Sequence, residues 1–494
     1  MPDGSQVYST IPIILRGGVY LNVDNSQAIG GLFADRYRVL MLGQKLVAGT
    51  AVADTPVRVP SAPLAAGLFG VNSMLHVEAK RIFDQAPGLE VWAIPQADNG
   101  AGNAAVGSVV VGGAPTASGT IAFYVGGERV TIGVLSGAST TSIATAIAAA
   151  VNAIATTRYV TAAVDGVNLS KVNFTALHKG LCYNSVDLRH SYFRGEALPA
   201  GLTLAFTAMT GGTGNPDITN AIAAMGPTRW AKICMPYTDA ANLTLLENEL
   251  LRRFGATVQL EGIAHSWATD TLSNLLTLGS SRNSPFMSIG GMKGVPAPAF
   301  ALAARYTALA AAAAIVDPPR QLRSLTMANE LPPVEADRFN GDERENCLRD
   351  GIASFTVGDD GLIHQERAVT TYETNSQAVP DASYRDVETM ECLHSIRADL
   401  RGFVATNYPR HKLADDGPGI VAGQSIMTPL TMRGVLAARG YLWAQQGLIE
   451  DYDDFVANLA VSRDLNDVDR LNALIRPNVI NNFRTLAAEL QFVL

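Results

Sequence analysis

The sequence predicts an α/β core, a mostly parallel sheet with helices on both faces, with an inserted mainly-β domain and an α+β C-terminal assembly domain. Three observations lead there. Strand-like and helix-like segments alternate from Tyr37 to Ile94 and again from Ile218 to Leu278. Two glycine-rich seams enclose a stretch that interrupts the alternation, and beyond Pro318 and Pro319 the charge density rises.

Within the core, Tyr37 to Leu42 (YRVLML) reads as a buried strand, Ser73 to Phe83 has helical spacing, and Leu89 to Ile94 (LEVWAI) is a second strand. Strand, helix and strand in this order build a parallel layer. The pattern resumes with a helix over Ile218 to Met225 and a buried strand over Trp230 to Met235. Asp239 to Phe254 follows as a helix, capped by Asp239 and ended by Gly255. Val258 to Ile263 reads as a strand and Thr269 to Leu278 as a helix. The long apolar run Ala299 to Val316 is mostly alanine and carries Arg305 and Tyr306, which favours a buried helix over a membrane span.

Between the seams, Asn99 to about Gly119 reads as linker or short strand material. Strands are expected over Thr120 to Val125, Glu128 to Val134, Tyr159 to Val164, Asn173 to His178, Val186 to Arg189 and Leu202 to Met209, with an alanine-rich helix over Ser142 to Ala155. The predicted boundaries are therefore an N-terminal strand arm 1–26, a discontinuous core 27–99 and 215–316, an inserted outward domain 100–214, a C-terminal domain 317–484 and a C-terminal strand arm 485–494.

In the C-terminal domain, Gly351 to Tyr372 reads as a β-hairpin, with Gly358 to Gly361 as its turn. Ile352, Phe355, Val357, Ile363 and Val369 are its apolar members. Two strands alone are marginal, so the hairpin needs others, from its own chain or from another. Two candidates lie far away in sequence. Val19, Leu21 and Val23 alternate around Tyr20 in one, and Leu486, Leu490, Phe492 and Leu494 share a face in the other. Either these arms pair with hairpins of neighbouring copies or they are ordinary strands of their own sheet. Helices are expected over Asp386 to Tyr408, Thr428 to Gln446 and roughly Asp464 to Leu474.

The composition is globular: 494 residues, 48% hydrophobic and 17% charged. A formal charge of −8 without a basic block argues against direct nucleic-acid binding. Cys182, Cys234, Cys347 and Cys392 form no CxxC pair, and the opening MPDGSQVYST lacks a basic n-region and an apolar h-region, so the expectation is synthesis in a reducing cytoplasm without Sec export. Asp239, His265 and Ser281 occur in a hydrolase-like order, but Asp239 is better placed as a helix cap and Ser281 lies outside a nucleophile turn. His76 with Glu78, Cys392 with His394, and His411 do not supply metal-ligand spacing. The turns Asp359 to Gly361 and Asp415 to Gly417 lack the other ligands of a calcium loop, and Gly417, Gly419 and Gly423 lack a phosphate-binding context. The expectation is no enzyme, no cofactor and no metal.

Several stretches together resemble the tail sheath proteins of contractile-tailed bacteriophages, most closely the Mu-like branch. They are RGGVYLNVDNS (16–26), ICMPYTDAANLTLLENELLRRFG (233–255), SRNSPFMSIGGM (281–292), the hairpin stretch 351–372 and the ending PNVINNFRTLAAELQFVL. The resemblance implies a structural subunit that stacks as hexameric rings around a tail tube protein, between baseplate and tail terminator proteins, without direct membrane insertion. It implies strand exchange between copies, with the hairpin near Gly351 accepting both arms, and contraction that drives the tube through the bacterial envelope. It places the protein in the virion, made in the host bacterial cytoplasm. A charged inner face toward the tube is expected at Glu450, Asp453, Asp454, Arg463, Asp467 and Arg470. The competing classes are a non-contractile capsid or surface-layer building block and a serine hydrolase.

Overall fold

The computed structural model describes residues 36–417 and 424–493 as a mixed α/β protein with several sheets. Val19, Tyr20, Leu21, Val23, Leu494, Gly419 and Gly423 lie outside the described residues. The rest forms two compact units, 36–395 with 481–493, and 396–480.

The first unit begins with β1 (Arg38–Gln44), β2 (Val57–Val59), α1 (Ala62–Phe69), α2 (Met74–Gln85) and β3 (Glu90–Gln96). An excursion follows: β4 (Ala104–Gly113), β5 (Gly119–Val125), β6 (Glu128–Val134), α3 (Thr140–Asn152), β7 (Val160–Val164), β8 (Lys171–Lys179), β9 (Leu188–His190) and β10 (Leu202–Thr210). The alternation then resumes with α4 (Thr219–Ala224), β11 (Lys232–Cys234), α5 (Ala240–Phe254), β12 (Ile263–Thr269), α6 (Leu272–Ser280), β13 (Met287–Met292) and α7 (Ala299–Val316). It ends with α8 (Gly341–Arg349), β14 (Ile352–Val357) and β15 (Ile363–Arg367).

One eight-stranded sheet organises this unit, in the order β15-β14-β13-β12-β11-β1-β3-β2. Every pairing from β3 to β14 is parallel, while β2 and β15 close the two ends antiparallel. Alternation along β1 divides the core between two faces. Val39 and Met41 join Leu302 and Ala303 of α7, whereas Leu40 and Leu42 join Leu243 and Leu246 of α5. The alanine-rich α7 is buried along most of its length, and its Tyr306 hydroxyl lies 2.6 Å from Ser288 on β13. Small side chains there let the helix approach the sheet closely. Asp239 caps α5 as expected, accepting a hydrogen bond from the Asn242 amide at 3.1 Å.

Two expectations in this unit change. The strand expected over Val258 to Ile263 starts only at Ile263. Gln259 has φ 54°, and a Cβ on Gly262 would sit 2.1 Å from the Trp230 carbonyl oxygen, so the chain turns tightly before it can extend. Asn99 to Gly119, read as linker or short strand, holds the ten-residue β4, paired with β10 and β8 in the sheet β10-β4-β8-β7. Its glycines and alanines hide a strand because packing, not propensity, supports it.

The excursion adds a second small sheet, β6-β5-β9. Its ends meet where the Asn103 amide donates to the Thr213 carbonyl at 3.0 Å and the Thr213 amide returns the bond at 3.1 Å. Gly102 is required there, since a Cβ would lie 2.5 Å from the Thr213 carbonyl oxygen. Its buried residues, among them Phe123, Ile147 and Phe174, share one hydrophobic cluster with Leu40 and Leu42.

α9 (Val387–Asn407) leads into the second unit, which contains β16 (Lys412–Leu413), β17 (Ile426–Met427), α10 (Pro429–Gln445), β18 (Ile449–Glu450), α11 (Tyr452–Ala457), β19 (Ala460–Arg463), β20 (Leu471–Leu474) and β21 (Asn478–Val479). Trp443, Phe455 and Leu436 form its buried centre. Arg439 pairs with the buried Asp399, which also accepts from Trp443 Nε1 at 2.7 Å. The helix expected over Asp464 to Leu474 is instead the hairpin β19–β20. Asp464 accepts from the Asn466 and Asp467 amides at 2.9 and 3.1 Å, and this side-chain-made turn displaces the helix.

Candidate assembly elements

The hairpin β14–β15 forms where the sequence places it. The Gly361 amide donates to the Gly358 carbonyl at 2.9 Å, and Gly361 takes φ 73°. Asp360 accepts from the Leu362 amide at 3.0 Å and lies 2.9 Å from His364 Nε2; these bonds, the His364 one first, hold its carboxyl below the usual range.

Its edges, however, are filled by its own chain. β14 pairs in parallel with β13, Ile289 opposite Ile352 and Gly290 opposite Ala353. On the far side of β15, Ser324 to Met327 lies antiparallel. The Ser324 amide donates to Gln365 at 2.8 Å, the Gln365 amide to Leu325 at 2.9 Å, and the Met327 amide to Ile363 at 2.9 Å. Ile352, Phe355, Ile363 and Val369 are accordingly buried, Phe355 with its ring centroid 4.6 Å from that of Trp267; Val357 is half-buried. Within the protomer, Ile352 and Ala353 of β14 and the stretch Ile363 to Gln365 of β15 already have strand partners and the apolar side chains serve the core, so the expected docking of two neighbours' arms here has a rival in the hairpin described next. The covering stretch was overlooked because it is four residues long and opens on Ser324 at φ 62°.

The other hairpin is different. β19 and β20 pair antiparallel, Val461 opposite Ala473 and Ser462 opposite Asn472, and among the described residues they form a two-stranded sheet with no further strand on either edge. Since the Asp464 amide bonds the Arg470 carbonyl at 2.9 Å, the antiparallel alternation directs the amides of Val461, Arg463, Leu471 and Ala473 outward. An antiparallel pair with both edges open is a template for strand addition.

The C-terminal segment carries the complementary property. After β21, residues 481–493 adopt no helix or strand. Leu486, Leu490, Phe492 and Val493 are 77%, 91%, 77% and 99% exposed. Four large apolar side chains in nine residues, none packed on the body, form a concentrated exposed apolar surface.

The residues expected to face a tube all lie in the second unit. Glu450 ends β18, Asp453 and Asp454 occupy the first turn of α11, Arg463 ends β19, and Asp467 and Arg470 sit in the turn before β20. Local bonds occupy the two arginines: Arg463 reaches Asp415 at 3.0 Å and Arg470 reaches Asp464 at 3.8 Å.

The hydrolase-like trio shares no site. Asp239 is held by Asn215 at 2.7 Å, His265 is buried in β12 beside Lys232 Nζ at 3.1 Å, and the Ser281 hydroxyl bonds the Leu278 carbonyl at 2.7 Å. Burial, then the neighbouring ammonium, pushes the His265 pKa well down, which keeps the ring neutral. Among the described residues no group of three His, Cys, Asp or Glu side chains gathers as metal ligands. His76 Nδ1 accepts from the Asn72 amide at 2.9 Å, and burial raises the Glu78 carboxyl pKa.

An α/β body, a hairpin with no further strand on its edges among the described residues and an exposed apolar terminal segment describe a building block more readily than an active centre. Residues 211–371 match the phage tail sheath protein central domain, and residues 379–493 match the phage tail sheath C-terminal domain. The chain belongs to the phage tail sheath family. It is 34% identical over 488 residues to the Mu-like prophage FluMu tail sheath protein of Haemophilus influenzae, covering 99% of each chain, which places it with the Mu-like members. Among solved structures, it is similar to the sheath tail protein of Desulfitobacterium hafniense at 12% identity and TM-score 0.49, over 94% of this chain and 100% of that one. The sheath tail protein of Listeria innocua gives 14% identity and TM-score 0.49, over 93% and 96%.

Proposed function

We propose that the chain is the repeating subunit of a contractile tail sheath, linked to its neighbours by donated strands. The donor is the C-terminal arm, with Leu486, Leu490 and Phe492 as its apolar face, and the acceptor is the open hairpin β19–β20 of a second copy. The N-terminal arm, with Val19, Tyr20, Leu21 and Val23, takes the remaining edge. Hexameric rings joined in this way surround a tail tube, with the charged residues of the second unit toward it, and end at baseplate and terminator proteins. No nucleotide is needed when the extended lattice is metastable: each subunit moves to a state of larger contact area, and the difference drives the tube through the envelope. The observation that carries this reading is the presence, in one chain, of an exposed apolar segment and of a hairpin with no further strand on either edge among the described residues.

The test is electron microscopy and sedimentation of the purified full chain, of a form ending at Arg484, and of Leu490→Asp and Phe492→Asp. Striated hollow cylinders from the full chain, and folded unassembled protein from the three altered forms, are expected. Cylinders of normal yield from the shortened form refute arm donation, and flat lattices from the full chain favour a surface-layer block.

A further inference from the structure

The exposed C-terminal arm starts from a built anchorage. The Gln321 amide donates to Asn482 Oδ1 at 3.1 Å, Gln321 Nε2 to the Phe483 carbonyl at 3.1 Å, and Arg323 Nη1 to the Arg484 carbonyl at 3.2 Å. Arg484 itself turns back toward the start of α9. Its guanidinium lies 3.1 Å from the Asp386 carboxylate and 3.6 Å from that of Glu388. Glu388 is 2% exposed and accepts from the Leu322 amide at 2.9 Å; burial raises its pKa, while Arg484 acts to lower it. Asp386 also holds Arg367 of β15 at 3.0 Å, so the carboxylates under the arm are fixed to the main sheet. Among the described residues beyond Arg484, the side-chain hydrogen bond is that from Gln491 to Glu489, within the arm.

We propose that Arg484 is the root of the arm: its clamp on Asp386 and Glu388 fixes the point and direction from which residues 485–493 reach a second copy of this chain. The proposal rests on the arm-donation reading above. A donated strand must lose its conformational freedom on capture, and every unfixed residue at its base adds freedom to be lost. A fixed root also raises the local concentration of the arm at the neighbour's edge, whereas a loose one spreads it over a wider volume. Arg484 is thus a positioning residue. A planar guanidinium spans two carboxylates in a way that a lysine ammonium does not.

The experiment uses the full chain with a spin label at Thr485→Cys. The four native cysteines are buried, so the introduced thiol is the one that reacts. Arg484→Ala and Arg484→Glu are expected to raise the protein concentration needed for half-maximal polymerisation about tenfold and to narrow the spectrum of the unassembled label; the unfolding midpoint falls as well, because Glu388 loses its counter-charge, so polymerisation is compared at a temperature where every variant is folded. Arg484→Lys is expected to shift that concentration about threefold. It decides the matter if the other variants fail to fold. Leu490→Asp runs in parallel. If Leu490→Asp blocks assembly while the Arg484 variants leave both polymerisation and label mobility as in the parent, the root is refuted and the arm stands. If Leu490→Asp assembles normally, the reading beneath the proposal falls.

Discussion

Two hairpins in this chain share a build and differ in fate. Both are short antiparallel pairs with an acidic turn, Asp359 and Asp360 in one and Asp464, Asp467 and Asp469 in the other. β14–β15 is sealed between β13 and the stretch Ser324 to Met327, and its apolar side chains are the protomer's core. β19–β20 has no further strand on either edge among the described residues and exposes Leu474 by 57%. The strength of the strand signal therefore does not tell which hairpin is free to bind. Edge occupancy does, because an unpaired row of amides and carbonyls is what another strand recognises.

The sharpest way to test the contrast is to damage the sealed hairpin. Phe355 packs against Trp267 at 4.6 Å and Tyr306 at 5.3 Å between ring centroids. Phe355→Ala is expected to cost about 3–5 kcal/mol of folding stability, read by urea unfolding of the monomer. A loss below about 1 kcal/mol, with assembly impaired instead, would return this hairpin to the role of acceptor.

Next in size is the buried pair that holds the second unit together. Asp399→Asn removes the buried carboxylate that Arg439 and Trp443 both bond, and a loss of roughly 3 kcal/mol is expected in the same measurement. It tests whether the unit bearing the open hairpin is a firm platform. Smaller in stability, and larger in assembly, is Ala473→Pro. The outward amide of Ala473 is not used within the hairpin, so its removal is expected to cost about 1 kcal/mol or less. Polymer yield should nevertheless fall, because the acceptor edge loses a donor. Normal yield would move the acceptor elsewhere.

The contrast also explains how much was legible. The core strands and helices were readable because periodicity reports burial, and Asp239 announced its cap. The hairpin at Gly351 was readable as a hairpin, but its closure by Ser324 to Met327 was not, since a four-residue pairing with a left-handed residue at its start leaves no pattern. β4 was hidden by glycine and alanine, and β19–β20 by charge: LNDVDRLNAL has helical spacing until Asp464 is seen to bond Asn466 and Asp467. Of the residues proposed for assembly, Leu486, Leu490 and Phe492 were marked by alternation alone. Arg484 was not, because an ion pair between residues almost a hundred positions apart leaves no local trace.

The smallest expected effect concerns the turn of the open hairpin, and its sign follows from protonation. Asp464 is held below the ordinary aspartate range, first by Asn472, whose Nδ2 donates to it at 2.7 Å, and then by the Asn466 and Asp467 amides with help from Arg470. A carboxyl with a lowered folded-state pKa binds protons less readily when folded, so its contribution is complete above the unfolded pKa and fades as pH falls through the folded one. Asp464→Asn should speed amide exchange at Asn466 and Asp467 near neutral pH, and the difference from the parent should shrink in acid, below the ordinary aspartate pKa. Asp360→Asn, made in the sealed hairpin, should leave exchange in its strands slow at every pH, because β13 and the Ser324 stretch hold them from both sides. Equal acceleration in the two hairpins would mean that the turns, and not the edges, distinguish them.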